Sequence, residues 1–253
     1  MSAGQDLTGR LAVVTGATRG IGAAVATALA AAGADVIGLG STRAPGADVE
    51  QAVRSHGRSF EGLACDLRDR AAVTALAAEL VGRERTPDIL VNNAGTIRRT
   101  PAADHALDDW DDVLAIDLTS QFVLAQALAR PMLERGGGKV VFTASLLSFQ
   151  GGITVPGYAA AKHGIAGLTK ALANEWASRG VNVNAVAPGY VVTDNTEALR
   201  QDAARSQAIL DRIPAGRWAT PEDVAGAVVF LASPAAAYVH GVVLPVDGGW
   251  LAR

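Results

Sequence analysis

The sequence predicts a single α/β domain, a doubly wound seven-stranded parallel sheet flanked by helices. Short runs rich in β-branched residues alternate with longer runs that are rich in alanine and leucine and have helical periodicity. No proline-rich or serine-rich linker, internal repeat or low-complexity tract divides the 253 residues, and one domain can span this length. We therefore expect one domain over residues 1–253 that carries every site of the protein.

Seven segments have the length and composition of buried strands. They are residues 11–15, 35–39, 59–64, 89–92, 140–144, 181–186 and 242–246. Helical segments lie between them, and the clearest are residues 20–32, 71–82, 158–178 and 221–231. Thr220 and Pro221 mark the start of the last helix, because threonine is a good N-cap and proline suits the first helical position.

Charge and cysteine content exclude several classes of function. The 22 Lys and Arg residues oppose 25 Asp and Glu residues, and no basic block is long enough to follow a nucleic-acid backbone. The single cysteine, Cys65, excludes an intramolecular disulfide and a multi-cysteine metal site. The four histidines also lack the spacing of metal ligands, so we expect no metal. The absence of a basic block leads us to expect no nucleic-acid partner.

The sequence also predicts a cytoplasmic protein that does not bind membranes. Its first ten residues lack the apolar core of a signal peptide. Residues 140–161 and 224–246 carry no charged side chain and approach the length of a membrane span. Glycine, proline and hydroxyl residues interrupt both segments, which is typical of buried turns between core elements.

A glycine-rich loop, TGATRGIG at residues 15–22, follows the first predicted strand and leads into a predicted helix. Gly16, Gly20 and Gly22 allow a sharp turn and bring backbone amides close to a pyrophosphate at the positive end of the helix. A tight turn of any function can use such glycines, so they are a weak signal alone. Their spacing resembles that of the short-chain dehydrogenase/reductase family, which implies a Rossmann-type domain that binds NAD or NADP.

The proton-transfer residues also resemble those of this family. Ser145 follows the fifth predicted strand, and Tyr158 and Lys162 stand four residues apart on one face of a predicted helix. A free tyrosine has a pKa of about 10, and a neighbouring ammonium favours its phenolate, which can then act as a base. The resemblance implies that Ser145 binds the substrate oxygen and that Lys162 also binds the cofactor ribose. Tyr158 and Lys162 alone could be a surface pair, but their occurrence in order with the other motifs argues against this.

Asp117 departs from the pattern of the family. The family usually has an asparagine here, which holds a water molecule that links the lysine to solvent. An aspartate keeps the acceptor oxygens but lacks the amide donor, and its negative charge near Lys162 could tighten the pair and change the proton path. We therefore include Asp117 in the catalytic set and expect activity with a shifted pH profile.

The family resemblance implies the remaining cofactor contacts. The sequence NNAG at residues 92–95 follows the fourth predicted strand, although asparagines there are also ordinary turn residues. Asp66 resembles the adenine-binding aspartate of the family, but it could equally cap the next helix. Besides Tyr158 and Lys162, the predicted cofactor residues are Gly16, Thr18, Arg19, Gly20, Ile21, Gly22, Arg43, Asp66, Leu67, Asn93, Ala94, Gly95, Pro188, Gly189, Val191 and Thr193.

The choice between NAD and NADP stays open at this point. An acidic residue at the end of the second strand would bind the ribose hydroxyls of NAD, but the sequence there is LGSTR at residues 39–43. Arg19 and Arg43 could instead bind the 2′-phosphate of NADP. The branch of the family that this chain resembles most is associated with NAD.

That branch acts on sugar acids, and the resemblance to it rests on several short segments. They are NNAGTIRR at 92–99, LSFQGG at 147–152, NEW at 174–176, IPAGRW at 213–218 and DGGWLAR at 247–253. The resemblance implies hydride transfer on a deoxy-keto sugar acid of the 2-dehydro-3-deoxy-D-gluconate type. Such a substrate needs a cation for its carboxylate and polar groups for its hydroxyls, although single surface arginines usually stay solvated. The predicted substrate contacts are Arg98, Arg99, Ser145, Gln150, Tyr158, Asn195 and Arg217.

Two other functions remain possible from the sequence. An NADPH-dependent reductase of 3-oxoacyl thioesters or of generic carbonyl compounds would use the same scaffold and base. A nucleotide-sensing protein would keep the fold without turnover, although the presence of Ser145, Tyr158 and Lys162 argues against it. The family is commonly tetrameric through long helices such as residues 158–178, so we expect a homo-oligomer, a tetramer.

Overall fold

The computed structural model describes residues 3–253 and contains a seven-stranded parallel sheet with helices on both faces. The strands are β1 (Leu11–Thr15), β2 (Asp35–Gly40), β3 (Phe60–Ala64), β4 (Ile89–Asn92), β5 (Gly138–Thr143), β6 (Val181–Pro188) and β7 (Val243–Val246). Their spatial order is β3-β2-β1-β4-β5-β6-β7, and every neighbouring pair is parallel. The order reverses between β1 and β4, and open α/β sheets bind ligands beside such a reversal.

Nine α-helices connect the strands within residues 3–253. They are α1 (Gly20–Ala31), α2 (Ala47–Arg54), α3 (Arg70–Val81), α4 (Leu107–Leu114), α5 (Ser120–Glu134), α6 (Pro156–Trp176), α7 (Glu197–Gln201), α8 (Ala203–Leu210) and α9 (Pro221–Ala232). The predicted fold class and strand number are confirmed, and the seven strands and the four clearest helices end within two residues of their predicted bounds.

The inner strands of the sheet are covered by helices on both faces, which explains why their sequences are nearly continuous apolar runs. Every residue of β1, β4 and β6 is buried. Helices α3, α5 and α6 pack on one face around residues such as Leu128 and Phe142. Helices α1 and α9 cover the other face around Leu29 and Val228.

The helical stretch Leu107–Glu134 is long and apolar enough, by length and composition alone, to cross a membrane. Its apolar face packs instead against the sheet, where Leu124, Leu128 and Met132 are fully buried. Its hydropathy is thus that of a core helix. A π-helical turn, Ala115–Thr119, separates α4 from α5 and places Asp117 inside the protein.

Side-chain hydrogen bonds cap the starts of helices α3 and α9. The carboxylate of Asp69 accepts hydrogen bonds from the amides of Ala71 (2.8 Å) and Ala72 (3.1 Å), so Asp69 is the N-cap of α3. Asp66 therefore does not cap this helix, which was one of its two predicted roles. Thr220 forms a capping box with Asp223 at the start of α9, as the sequence predicts.

Candidate active site

A cleft of about 470 Å³ opens at the carboxyl ends of the central strands. All predicted cofactor residues except Asp66 lie in its wall, and so do Ser145, Tyr158, Lys162 and Asn195. These residues come from segments spread over most of the chain. The parallel sheet brings them together because the carboxyl ends of its strands share one edge.

The glycine loop forms a cradle that side chains would fill. Gly16 has a φ of +67°, which favours glycine, and a Cβ there would lie 2.9 Å from the Cα of Ala94. A Cβ on Gly22 would lie 2.1 Å from the carbonyl oxygen of Gly16 and 2.6 Å from Nδ2 of Asn93. The N-cap residue of α1 is Arg19, whose side chain has no acceptor for the first-turn amides. These amides therefore suit an anionic ligand.

Thr15, which the sequence reasoning did not single out, joins the glycine loop to the end of β4. Its Oγ1 accepts hydrogen bonds from the amides of Asn93 and Ala94, each at 2.9 Å. In return, Nδ2 of Asn93 donates to the carbonyl oxygen of Thr15 at 3.1 Å. The signal for Thr15 was a hydroxyl residue at the end of a strand that is otherwise apolar.

Lys162 is held against the end of β5 rather than exposed on its helix. Its Nζ donates to the carbonyl oxygen of Thr143 at 2.9 Å and lies 5.4 Å from the ring centre of Tyr158. Only 3% of its side chain is exposed. This burial argues against the alternative that Tyr158 and Lys162 form a plain surface pair.

Ser145 caps a short 3₁₀ turn, Leu146–Ser148, that packs against α6. Its Oγ accepts a hydrogen bond from the amide of Leu147 at 3.1 Å. Ser148, which the sequence reasoning missed, donates from Oγ to the carbonyl oxygen of Lys162 at 2.6 Å. This bond ties the turn that carries Ser145 to the helix that carries Tyr158.

Asp117 lies beside Lys162 and is fully buried. Its Oδ1 accepts a hydrogen bond from the amide of Thr96 at 2.7 Å, and its Oδ2 lies 3.4 Å from Nζ of Lys162. Burial holds the pKa of Asp117 above its usual value, and the positive charge of Lys162, the Thr96 hydrogen bond and the contact with Lys162 offset only part of that rise. The predicted proximity of Asp117 to Lys162 is thus present in the structure.

The two arginines predicted at the adenosine end differ in their surroundings. Arg43 is exposed in the cleft wall, just beyond β2. Arg19 forms an ion pair with Asp194, with 2.6 Å between Nε and Oδ2. A Cβ on Gly40, the last residue of β2, would lie 1.9 Å from the carbonyl oxygen of Arg43, so the loop folds back over the end of the strand.

Asp66 does not line the cleft, whereas its neighbour Leu67 does. The carboxylate of Asp66 accepts hydrogen bonds from the amide of Arg68 (3.0 Å) and from its guanidinium (2.7 Å). The Arg68 hydrogen bonds lower the pKa of Asp66. Its carboxylate is therefore engaged with Arg68 rather than directed into the cleft.

Four predicted substrate contacts do not line the cleft, namely Arg98, Arg99, Gln150 and Arg217. Arg217 forms two hydrogen bonds with the carboxylate of Asp223, at 2.6 and 2.8 Å. Two guanidinium nitrogens of Arg217 are thus engaged at the start of α9 and its side chain is exposed, so its predicted substrate contact stays a prediction.

Arg98 and Arg99 are adjacent but have different partners. Arg98 pairs with Asp109 at 3.0 Å and Asp112 at 3.4 Å, on α4. Arg99 donates to the carbonyl oxygen of Asn195 at 3.1 Å, and Asn195 lines the cleft. Of these two predicted carboxylate partners, Arg99 is the one in contact with the cleft wall.

The combination of a glycine cradle with Ser145, Tyr158 and Lys162 in one cleft defines a dinucleotide-dependent oxidoreductase. A family model described as enoyl-(acyl carrier protein) reductase matches residues 16–251. The chain belongs to the short-chain dehydrogenase/reductase family, whose members use NAD or NADP. The family resemblance of the sequence is thereby confirmed.

Proteins similar to this chain along nearly its whole length include named enzymes and solved structures. The 2-dehydro-3-deoxy-D-gluconate 5-dehydrogenase of Pseudoalteromonas atlantica is 56% identical over 249 residues, which cover 98% of each chain. A structure from Agrobacterium tumefaciens, described as a 2-deoxy-D-gluconate 3-dehydrogenase with bound NADP, is 54% identical, covers 100% of both chains and has a TM-score of 0.93. A structure from Beutenbergia cavernae is described as an NAD(P)-dependent gluconate 5-dehydrogenase with bound NADP at low occupancy. It is 52% identical, has a TM-score of 0.95, and the match covers 99% of this chain and 100% of that chain.

The close approach at Gly22 gives a direct test of the cradle. We expect Gly22→Ala to weaken dinucleotide binding by at least roughly tenfold, or about 1.4 kcal/mol, because the methyl group would displace the Gly16 carbonyl. Gly226→Ala is the matched control, since nothing lies within 4 Å of a Cβ there. Fluorescence titration with NADPH and NADH, together with the unfolding temperature of each variant, checks this. Equal affinities for the two variants would contradict it.

Proposed function

We propose that this protein is an NAD(P)-dependent dehydrogenase that interconverts a secondary alcohol and a ketone of a deoxy-keto sugar acid of the 2-dehydro-3-deoxy-D-gluconate type. The main support for the proposal is that Ser145, Tyr158 and the buried Lys162 line the same cleft as the glycine cradle. The sugar-acid part is supported by 56% identity to an enzyme named for that substrate.

The cleft fits a nicotinamide dinucleotide. Its glycine cradle has room for a close approach of a pyrophosphate, and the first-turn amides of α1 suit the negative charge. In our proposal Lys162 binds the nicotinamide ribose, and Pro188, Gly189, Val191 and Thr193 line the nicotinamide end of the cleft. When bound, the cofactor supplies the nicotinamide ring that exchanges a hydride with the substrate carbon.

The side chains of the site supply the proton chemistry. The Ser145 oxygen accepts from the Leu147 amide, which leaves its hydroxyl hydrogen free to donate to the substrate oxygen. In the oxidation direction the Tyr158 oxygen takes the hydroxyl proton of the substrate, and in reduction it returns that proton to the ketone oxygen. The Lys162 ammonium, fixed by the Thr143 carbonyl, favours the phenolate form that accepts the proton.

We further propose that NADP is the preferred cofactor. The last residue of β2 is Gly40, where an acidic residue for the ribose hydroxyls of NAD would stand. Arg43 is exposed in the cleft wall and suits a 2′-phosphate. The two similar solved structures carry NADP, which supports this choice.

In this proposal the substrate carboxylate binds Arg99, and Asn195 binds a hydroxyl group. Arg99 contacts the segment of the cleft wall that contains Asn195, and its exposed guanidinium has further donors for an anion. The proposal does not assign this role to Arg98, because that side chain forms ion pairs with Asp109 and Asp112.

We also propose a homotetramer located in the cytoplasm. The large side chains of Leu107, Phe122 and Ile153 are 77%, 37% and 84% exposed, respectively. All three lie on or next to the long helices that the family resemblance assigns to subunit contacts. Sedimentation of the purified protein would measure the number of subunits.

Replacing the proposed base tests the reaction itself. We expect Tyr158→Phe to lower kcat/KM by at least about 100-fold, because the ring stays but cannot transfer a proton. Cofactor binding should be retained. Tyr238→Phe is the matched control, since that side chain is 99% exposed. Assays of a panel of sugar acids and β-keto thioesters with both cofactors also distinguish the proposed activity from an acyl-thioester reductase. Wild-type turnover by Tyr158→Phe would rule out the mechanism.

Removal of the exposed arginine after β2 tests cofactor preference. We expect Arg43→Ala to raise the KM for NADP by roughly tenfold, the loss of one charge-assisted contact, and to leave the KM for NAD unchanged. Arg179→Ala, an exposed arginine at the far end of α6, is the control. An equal change for both cofactors would show that Arg43 does not face the 2′-phosphate.

The adjacent arginines allow a paired test of the substrate contact. We expect Arg99→Ala to raise the KM for a sugar acid by roughly tenfold and to leave the KM for an uncharged sugar analogue unchanged. Arg98→Ala removes the same type of side chain one residue away and should leave both values near wild type. If the two variants behave alike, the carboxylate lies elsewhere.

A further inference from the structure

Asp117 and Lys162 form a buried pair of charges next to the proposed base. The Asp117 side chain is completely buried, and 3% of the Lys162 side chain is exposed. Oδ2 of Asp117 lies 3.4 Å from Nζ of Lys162. Buried acidic groups are rare unless they are paired, so the two side chains act as one electrostatic unit.

The surrounding backbone fixes Asp117 in this position. The π-helical turn Ala115–Thr119 directs it inward, and the Thr96 amide holds Oδ1 at 2.7 Å. Gly95 leaves the space, since a Cβ there would lie 3.0 Å from Oδ2. Among the residues that the structure describes, no donor makes a well-directed hydrogen bond to Oδ2. This oxygen therefore acts on Lys162 through its charge.

The elements packed against the turn bring no second charge to Asp117. Helix α6 contributes Lys162 and Tyr158, while His163 on the same helix is exposed. Helix α5 begins with the uncharged Ser120 and Gln121. The acidic residues of α4 are exposed or pair with Arg98; they are Asp108, Asp109, Asp111 and Asp112. Lys162 is the one charge, in the described part of the chain, that shifts the pKa of Asp117.

The charges of Lys162 and Asp117 have opposite effects on the ionisation of a nearby phenol such as that of Tyr158. An ammonium favours the phenolate, whereas a carboxylate disfavours it. Because the pair is excluded from water, solvent and salt screen neither charge strongly. The effect of Lys162 on Tyr158 is therefore reduced by the negative charge 3.4 Å from its ammonium.

On the basis of the proposed function, we infer that Asp117 is a positioning residue that offsets the charge of Lys162 and moves alcohol oxidation to higher pH. The carboxylate also attracts the ammonium that donates a hydrogen bond to the Thr143 carbonyl, and these two contacts limit its movement. A protonated phenol is the form that protonates a ketone, so in this inference the charge of Asp117 supports the role of Tyr158 as a proton donor in ketone reduction.

The test is the pH dependence of kcat/KM for alcohol oxidation in the full-length enzyme. Asp117→Asn removes the charge and keeps an oxygen for the Thr96 amide. We expect the pH of half-maximal rate on the acid side to fall by about one unit, the effect of removing one nearby charge. Asp117→Glu keeps the charge and should retain the wild-type profile even if its rate falls. Asp111→Asn, which removes an exposed carboxylate from α4, is the control and should not shift the profile.

The outcomes separate this inference from the proposed function. A wild type that is active, with an unshifted Asp117→Asn profile, would overturn the inference alone. The same shift in Asp117→Glu or Asp111→Asn would also overturn it, since the effect would not come from the buried charge. A wild type that oxidises no sugar acid would overturn both. If Asp117→Asn does not fold, Asp117→Ser provides a smaller uncharged side chain for the same measurement.

Discussion

The two hydrogen bonds that Thr15 accepts from the Asn93 and Ala94 amides hold together the part of the molecule on which the cleft depends. They join β1 to β4, the adjacent strands between which the strand order reverses. The glycine loop starts on one side of this junction, and the segment that leads to Thr96 and Arg99 starts on the other. The cofactor cradle and the buried charge at Asp117 thus share one support, because Thr96 anchors Asp117.

The fold was predictable because its signals are local and repeated. Parallel strands buried on both faces produce continuous apolar runs, and such runs marked the inner strands β1, β2, β4, β5 and β6. The edge strands β3 and β7 are partly exposed. Helices α7 and α8 were not identified because they have five and eight residues, too few for a helical period to stand out. Helix α5 contains Pro131, which weakens its helical pattern.

The site was predictable where the chemistry requires a residue type at a fixed spacing, as for Tyr158 and Lys162. It was less predictable where a side chain has a choice of partners. Arg98 and Arg99 look equivalent in the sequence, but only the folded chain brings Asp109 and Asp112 to one of them. Supporting residues such as Thr143 and Ser148 were missed because a single backbone carbonyl or hydroxyl contact leaves no pattern in the sequence.

The close approach at Gly40 limits how the cofactor preference of this protein can be redesigned. The usual route toward NAD places a carboxylate at the end of the second strand. Here any side chain at that residue would collide with the Arg43 carbonyl, 1.9 Å from the Cβ. An engineer would therefore have to introduce the acid at Ser41 or Thr42, or rebuild the loop. A single substitution at the strand end would damage the site before it altered selectivity.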